Sequence, residues 1–126
     1  MNKHSTPFEA LGEEKIRDLA SNFYDIMNDL PSASSIRAMH AKDLSGIKAM
    51  LAEFLITWMG GPNYFLERRG SLCLTDSHSK YKISEHDRDQ WMLCMDMALD
   101  SIECDIDTKE MLKQPFFQIA DMLTNT

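Results

Sequence analysis

Between Asp43 and Pro62 the chain reads "DLSGIKAMLAEFLITWMGGP", and Ile47, Met50, Leu51, Phe54, Leu55, Trp58 and Met59 recur every three or four residues. That spacing fills one wide face of a helix and no face of a strand, whose side chains repeat every second residue. Asp43 stands where an N-cap belongs, and Gly60, Gly61 and Pro62 supply a C-terminal stop. Three further segments share the helical period, and none shows convincing strand alternation. The chain is therefore expected to be all-α, with four main helices. Its 126 residues, 44% of them hydrophobic, suffice to bury one core, so residues 1–126 are read as a single domain.

The first segment, "LGEEKIRDLASNFYDIMNDL", carries a stripe of Ile16, Leu19, Phe23, Ile26 and Leu30, with Tyr24 at its edge and Pro31 ending the run. The third, "SEHDRDQWMLCMDMALDSI", opens on Ser84 and Asp87 in a capping arrangement and lines up Trp91, Cys94, Met95, Ala98, Leu99 and Ile102. The last, "DTKEMLKQPFFQIADMLT", repeats the pattern with Met111, Leu112, Phe116, Ile119, Ala120 and Leu123, capped by Asp107 or Thr108. Pro115 inside it is expected to kink or split the helix, because it removes a backbone donor and crowds the preceding turn. Residues 62 to 83 have little pattern beyond a turn or two of helix. A segment of that length is uncommon in a compact bundle unless it serves a ligand or is disordered.

Thirteen Lys and Arg against twenty Asp and Glu give a formal charge of −7, which argues against a nucleic-acid partner, since phosphate binding needs a basic face. Cys73, Cys94 and Cys104 have neither zinc-site spacing nor an even count for a disulfide framework, and so fit reduced thiols in a cytoplasm. No segment reaches the roughly 18 consecutive apolar residues of a membrane helix, and the N-terminus lacks the apolar run of a signal peptide. Phosphate-loop and "HExxH" patterns are absent. His86 falls in the first turn of a helix and His4 in the N-terminal tail, and both are read as surface residues.

Three residues join an apolar body to a polar tip: Tyr24, His40 and Trp91. A buried phenol O–H or indole N–H needs an acceptor, which a backbone carbonyl supplies in an ordinary core and a bound ligand supplies in a site. His78, alone in "SLCLTDSHSKYKIS", reads by itself as a solvated loop residue.

The fragments "LGEEKIRDLASNFY", "IRAMHAKDLS", "FLITWMGGP" and "ERRG" are followed by His78, with Tyr81 and Ile83 three and five residues on, and then by "RDQWMLCM". In that order they resemble the truncated haemoglobins, and among these the second group, the two-over-two globins, over about 100 residues. The resemblance implies a globin-like two-over-two helical sandwich holding haem b (iron protoporphyrin IX). His78 matches the proximal iron ligand, so one protein ligand suffices and no second histidine at metal spacing is needed. Tyr24 matches the distal tyrosine and Trp91 the tryptophan of this group, while His40 matches an aromatic or histidine position near the haem. Ile47 matches the distal gate, and Leu51 and Phe54 match pocket-wall positions. Thr75, Asp76 and Ser77 depart from the basic residues often found just before the proximal histidine. That leaves the haem propionates to Arg68, Arg69, Lys80 or Lys82, with Tyr81, in place of the common phenylalanine, as another candidate.

By the same resemblance the protein reversibly binds dioxygen and other diatomic ligands, NO and CO, with slow release favoured over bulk oxygen carriage. The enzymatic rival is a redox enzyme of NO or reactive nitrogen and oxygen detoxification, which needs a reductase partner. A rival of another class is a haem-free helical interaction module with a Met-rich groove. Monomer and homodimer both stay open.

Overall fold

The computed structural model describes residues 6–69 and 82–125, apart from the side chain of Arg69, and every described secondary-structure element is helical. Helix α1 spans Pro7–Leu11, α2 Glu13–Asp29, α3 Ser34–Ala38, α4 Ser45–Trp58, α5 Tyr64–Arg69, α6 Glu85–Ser101 and α7 Ile106–Met122. A 3₁₀ turn at Pro31–Ala33 joins α2 to α3.

The first stripe forms as its spacing predicts, with Ile16, Leu19, Phe23 and Tyr24 buried along α2. Its start differs. Gly12 takes a φ of 83°, a backbone conformation that side chains resist, and breaks the run into α1 and α2. Thr6 caps α1 by accepting the Glu9 N–H. Asp43 is not the N-cap expected for α4: Leu44 holds that position without a side-chain cap, and Asp43, one residue earlier, accepts the Ser45 N–H at 3.0 Å. The Ser84 and Asp87 pair is a full capping box at the start of α6. At α7 the cap falls earlier than expected: Asp105 accepts the Thr108 N–H at 2.7 Å, and Thr108 itself is buried. Pro115 does not split α7, which runs unbroken through it. Leu112, Phe116 and Ala120 are buried along that helix, and their packing offsets the roughly 3 kcal/mol that an internal proline costs.

Helix α2 packs on both α4 and α6, and α6 packs on α7. Trp58 of α4 stacks on Phe116 of α7, with ring centroids 5.0 Å apart, so the pair α2 and α4 lies over the pair α6 and α7. This is the expected two-over-two sandwich. Its core gathers Ile16, Leu19, Phe23, Leu55, Met95, Leu99 and Phe116. No described helix is long and apolar enough to cross a membrane.

Candidate functional site

A cavity of about 280 Å³ opens between α2, the α3 exit, α4, the start of α6 and the end of α7. Tyr24, His40, Ile47 and Trp91 share its wall with aliphatic side chains such as Ile36, Met50 and Ile119. Four residues singled out from four separate segments of sequence thus meet at one place. Leu51 is half-buried against the core, and Phe54 packs edge-on to Phe65 at 5.3 Å and stacks on Trp58 at 6.5 Å; neither lines the cavity.

Phe23, fully buried, sits between the two donor-bearing rings, 4.9 Å from Tyr24 and 5.2 Å from Trp91, edge-on to both. Such contacts fix ring orientation as well as burying area. Tyr24 also meets the His40 ring edge-on at 5.4 Å. Among the described residues no acceptor takes a hydrogen bond from the Tyr24 hydroxyl or the Trp91 indole N–H. Both belong to side chains on the cavity wall. Burial pushes the Tyr24 phenol above its ordinary range, so it remains a neutral donor at every physiological pH.

His40 is held differently. Its Nδ1 lies 2.8 Å from the Ile36 carbonyl oxygen, and a carbonyl can only accept, so Nδ1 carries the proton. Ile47 presents an apolar branch that donates nothing.

Arg68 bonds the buried Glu53 and places its guanidinium 5.7 Å over the Tyr64 ring, while the Tyr64 hydroxyl donates to Glu13 at 3.1 Å. Lys82 is exposed. His78, Tyr81, Lys80 and the side chain of Arg69 lie outside the described residues, as does Cys73. Cys94 is buried in the core, where burial pushes its thiol up to about 11, and Cys104 is half-buried.

Sequence reasoning missed several lining residues: Met39, Ile83, Asp87 and Arg88. Ile83 and Asp87 were visible only as neighbours of the lone histidine and as part of a cap. Arg88 is engaged by Asp89 and Asp121 and lies 5.0 Å over the Phe117 ring. No periodic signal marks such a residue as lining a cavity.

A two-over-two sandwich with donor-bearing aromatic rings around one internal cavity is a globin-type architecture. The chain belongs to the bacterial-like globin family, which matches residues 6–125, and its kinship lies with the group II truncated haemoglobins. The cold-adapted truncated haemoglobin of the Antarctic marine bacterium Pseudoalteromonas haloplanktis is 37% identical, covers 97% of this chain and 99% of its own, and superposes with a TM-score of 0.93. The group II 2-on-2 haemoglobin of Agrobacterium tumefaciens is 33% identical over 98% of this chain and 97% of its own, with a TM-score of 0.91. A truncated oxygen-avid haemoglobin of Bacillus subtilis is 27% identical, covering 96% of this chain and all of its own, 100%, with a TM-score of 0.87.

Haem is the cofactor that membership implies, and the described residues fit one. Aliphatic walls suit a porphyrin, and the two donors with no acceptor among the described residues, Tyr24 and Trp91, suit a polar ligand.

Proposed function

We propose that this chain is an oxygen-binding truncated haemoglobin, holding haem b through His78 and retaining dioxygen, and also NO and CO, against Tyr24 and Trp91. The observation that carries the reading is the pair of O–H and N–H donors facing one cavity without an acceptor among the described residues. In an ordinary core each would be satisfied by a carbonyl, because an unpaired buried donor is costly. When bound, haem supplies an iron that takes a diatomic ligand and shifts negative charge onto it.

The residues then divide the work. Tyr24 donates a hydrogen bond toward the ligand from a desolvated position, where such a bond is electrostatically stronger than in water. Trp91 donates from α6, its ring edge-on to Phe23 at 5.2 Å and to Phe116 at 6.0 Å, so little reorganisation accompanies binding. Ile47 and the aliphatic wall keep water from competing for those donors. The outcome is retention of ligand more than rapid exchange. The Bacillus subtilis relative described as oxygen-avid supports dioxygen as the ligand. Three cysteines without disulfide spacing support a reducing cytoplasm as its place.

The test is reconstitution with haem, reduction, and cycling between argon and air. Stoichiometric haem with spectra that interconvert reversibly is the expected result. A Tyr24→Phe, Trp91→Phe double variant that releases dioxygen at the wild-type rate would sink the donor mechanism while leaving haem binding intact.

A further inference from the structure

One corner of the cavity is built from two stretches of chain. Ile83, Asp87 and Arg88, around the start of α6, line one side, and Ile119, Ala120 and Leu123, around the end of α7, line the other. Ile83, Ile119 and Leu123 are half-buried, so the wall reaches the surface there. Two ties cross the corner. Asn125 Oδ1 accepts the Ile83 N–H at 2.7 Å, and the Asn125 N–H donates to the Ile83 carbonyl at 2.8 Å, across 42 residues of chain. The pair copies one step of an antiparallel ladder, with a side-chain oxygen in place of a backbone carbonyl. The second tie is the ion pair of Arg88 with Asp121, 2.9 Å long, which contributes little by itself because Asp121 is exposed.

Both ends of the first tie are mounted on fixed backbone. Ile83 directly precedes Ser84, whose capping box with Asp87 starts α6. One oxygen of the buried Asp87 accepts from the Ser84 N–H and hydroxyl, both at 3.0 Å, and the other accepts the Ser35 hydroxyl of α3 at 2.6 Å. Burial works against the charged carboxyl, and these hydrogen bonds outweigh it. On the other side Thr124 turns the chain out of α7, its N–H donating to the Asp121 carbonyl at 3.1 Å and its hydroxyl to the Ala120 carbonyl at 3.3 Å. That turn delivers Asn125 beside Ile83.

We infer that Asn125 is a positioning residue: its two bonds to Ile83, backed by Arg88 and Asp121, form a clasp that holds the α6 and α7 sides of the cavity together and slows the escape of haem. The haem half rests on the proposed function; the clasp itself does not. Asn125 lines no part of the cavity and acts through Ile83, which does. Local opening of a wall breaks only the bonds that cross it, so a tie that adds little to global stability can still set how often that wall opens.

The experiment compares wild type with Asn125→Ala, Asn125→Asp and Met122→Ala, the last an exposed side chain on the same stretch that lines no part of the cavity. Two quantities are read. One is the protection of the amide at position 125 against hydrogen exchange, by NMR of the carbon monoxide-bound ferrous protein. The other is the rate at which the ferric protein yields haem to an excess of a haem-scavenging apoglobin. Asn125→Ala keeps its own N–H but loses the oxygen, so protection should fall and haem transfer should quicken, each by roughly 2- to 10-fold, the weight of one neutral hydrogen bond. Asn125→Asp, which keeps an accepting oxygen, and Met122→Ala should both stay near wild type. An unprotected amide at position 125 in the wild type would overturn the clasp. Haem transfer at the wild-type rate in Asn125→Ala, or equally fast transfer in Asn125→Asp and Met122→Ala, would overturn its hold on haem. A wild-type chain that takes up no haem overturns the proposed function instead, and protection of the same amide in the haem-free chain then decides the clasp.

Discussion

Replacing Tyr24 by Phe separates what a hydroxyl does for the fold from what it does for a ligand. Phenylalanine keeps the ring that meets Phe23 at 4.9 Å and His40 at 5.4 Å, and removes only an oxygen with no acceptor among the described residues. An O–H that makes no protein hydrogen bond contributes little to stability, so the cost of its loss should stay within about 1 kcal/mol. The ligand side is different. A hydrogen bond to a charged group contributes roughly 1.5–3 kcal/mol, and each 1.4 kcal/mol is about tenfold in rate when it is lost on release. Dioxygen dissociation, followed by stopped-flow replacement with carbon monoxide, should therefore quicken by about 10- to 100-fold. Thermal melts of the ligand-free ferrous proteins should agree within about 4 °C. A large fall in melting temperature would mean that the hydroxyl has a structural acceptor, and an unchanged dissociation rate would mean that it never meets the ligand.

Three other perturbations follow from the packing and the caps. Asp87→Asn should lower stability at neutral pH by about 1–3 kcal/mol in denaturant titrations, since it leaves buried partners of a charged carboxylate poorly matched. The Asp87 carboxyl is held below its usual value in the folded protein, so its contribution is present above pH ~4 and is lost as pH falls through the folded value; the acid-side decline in stability should be shallower in the variant. Phe116→Ala, at a ring 1% exposed between Trp58 and Trp91, should cost about 3–5 kcal/mol, and a smaller loss would mean that α7 collapses into the gap. Gly61→Ala would set a methyl carbon 2.5 Å from Phe8 Cδ1 and 2.9 Å from the Ile56 carbonyl oxygen, so it should destabilise by about 1–3 kcal/mol, and an unchanged melt would show that α1 yields easily.

The four main helices were legible because each carries a stripe at the helical period, and two of them, α6 and α7, also start on a polar cap. Ser84 and Asp87 are the plainest case, whereas Asp43 falls one residue short of the N-cap that Leu44 occupies. What periodicity missed has local or long-range causes. Gly12 breaks the first helix through a backbone angle that no stripe encodes. Asp105 takes the cap assigned to Asp107 or Thr108 because the helix starts at Ile106, one residue before the apolar pattern can be recognised. Glu53 lies buried on α4 where a carboxylate suggests solvent, and its partner Arg68 comes from α5.

The site was legible in a different way. Tyr24, His40, Ile47 and Trp91 sit on separate segments, and only the order of residues along the whole chain suggested that they meet. The Ser35 link to Asp87 had no such signal, since a serine 52 residues away looks like any surface hydroxyl. Leu51 and Phe54 lie on the same helical face as Ile47 but further along α4, where Phe54 meets Trp58 and Phe65.

The most direct measurement is the absorption spectrum of the purified protein, ferric, then ferrous with and without carbon monoxide, beside a His78→Gly variant with and without added imidazole. The account predicts one haem per chain, with a ferrous deoxy Soret band that is altered in His78→Gly and restored by imidazole. Failure to take up stoichiometric haem, or a ferrous spectrum indifferent to the loss of His78, would contradict it.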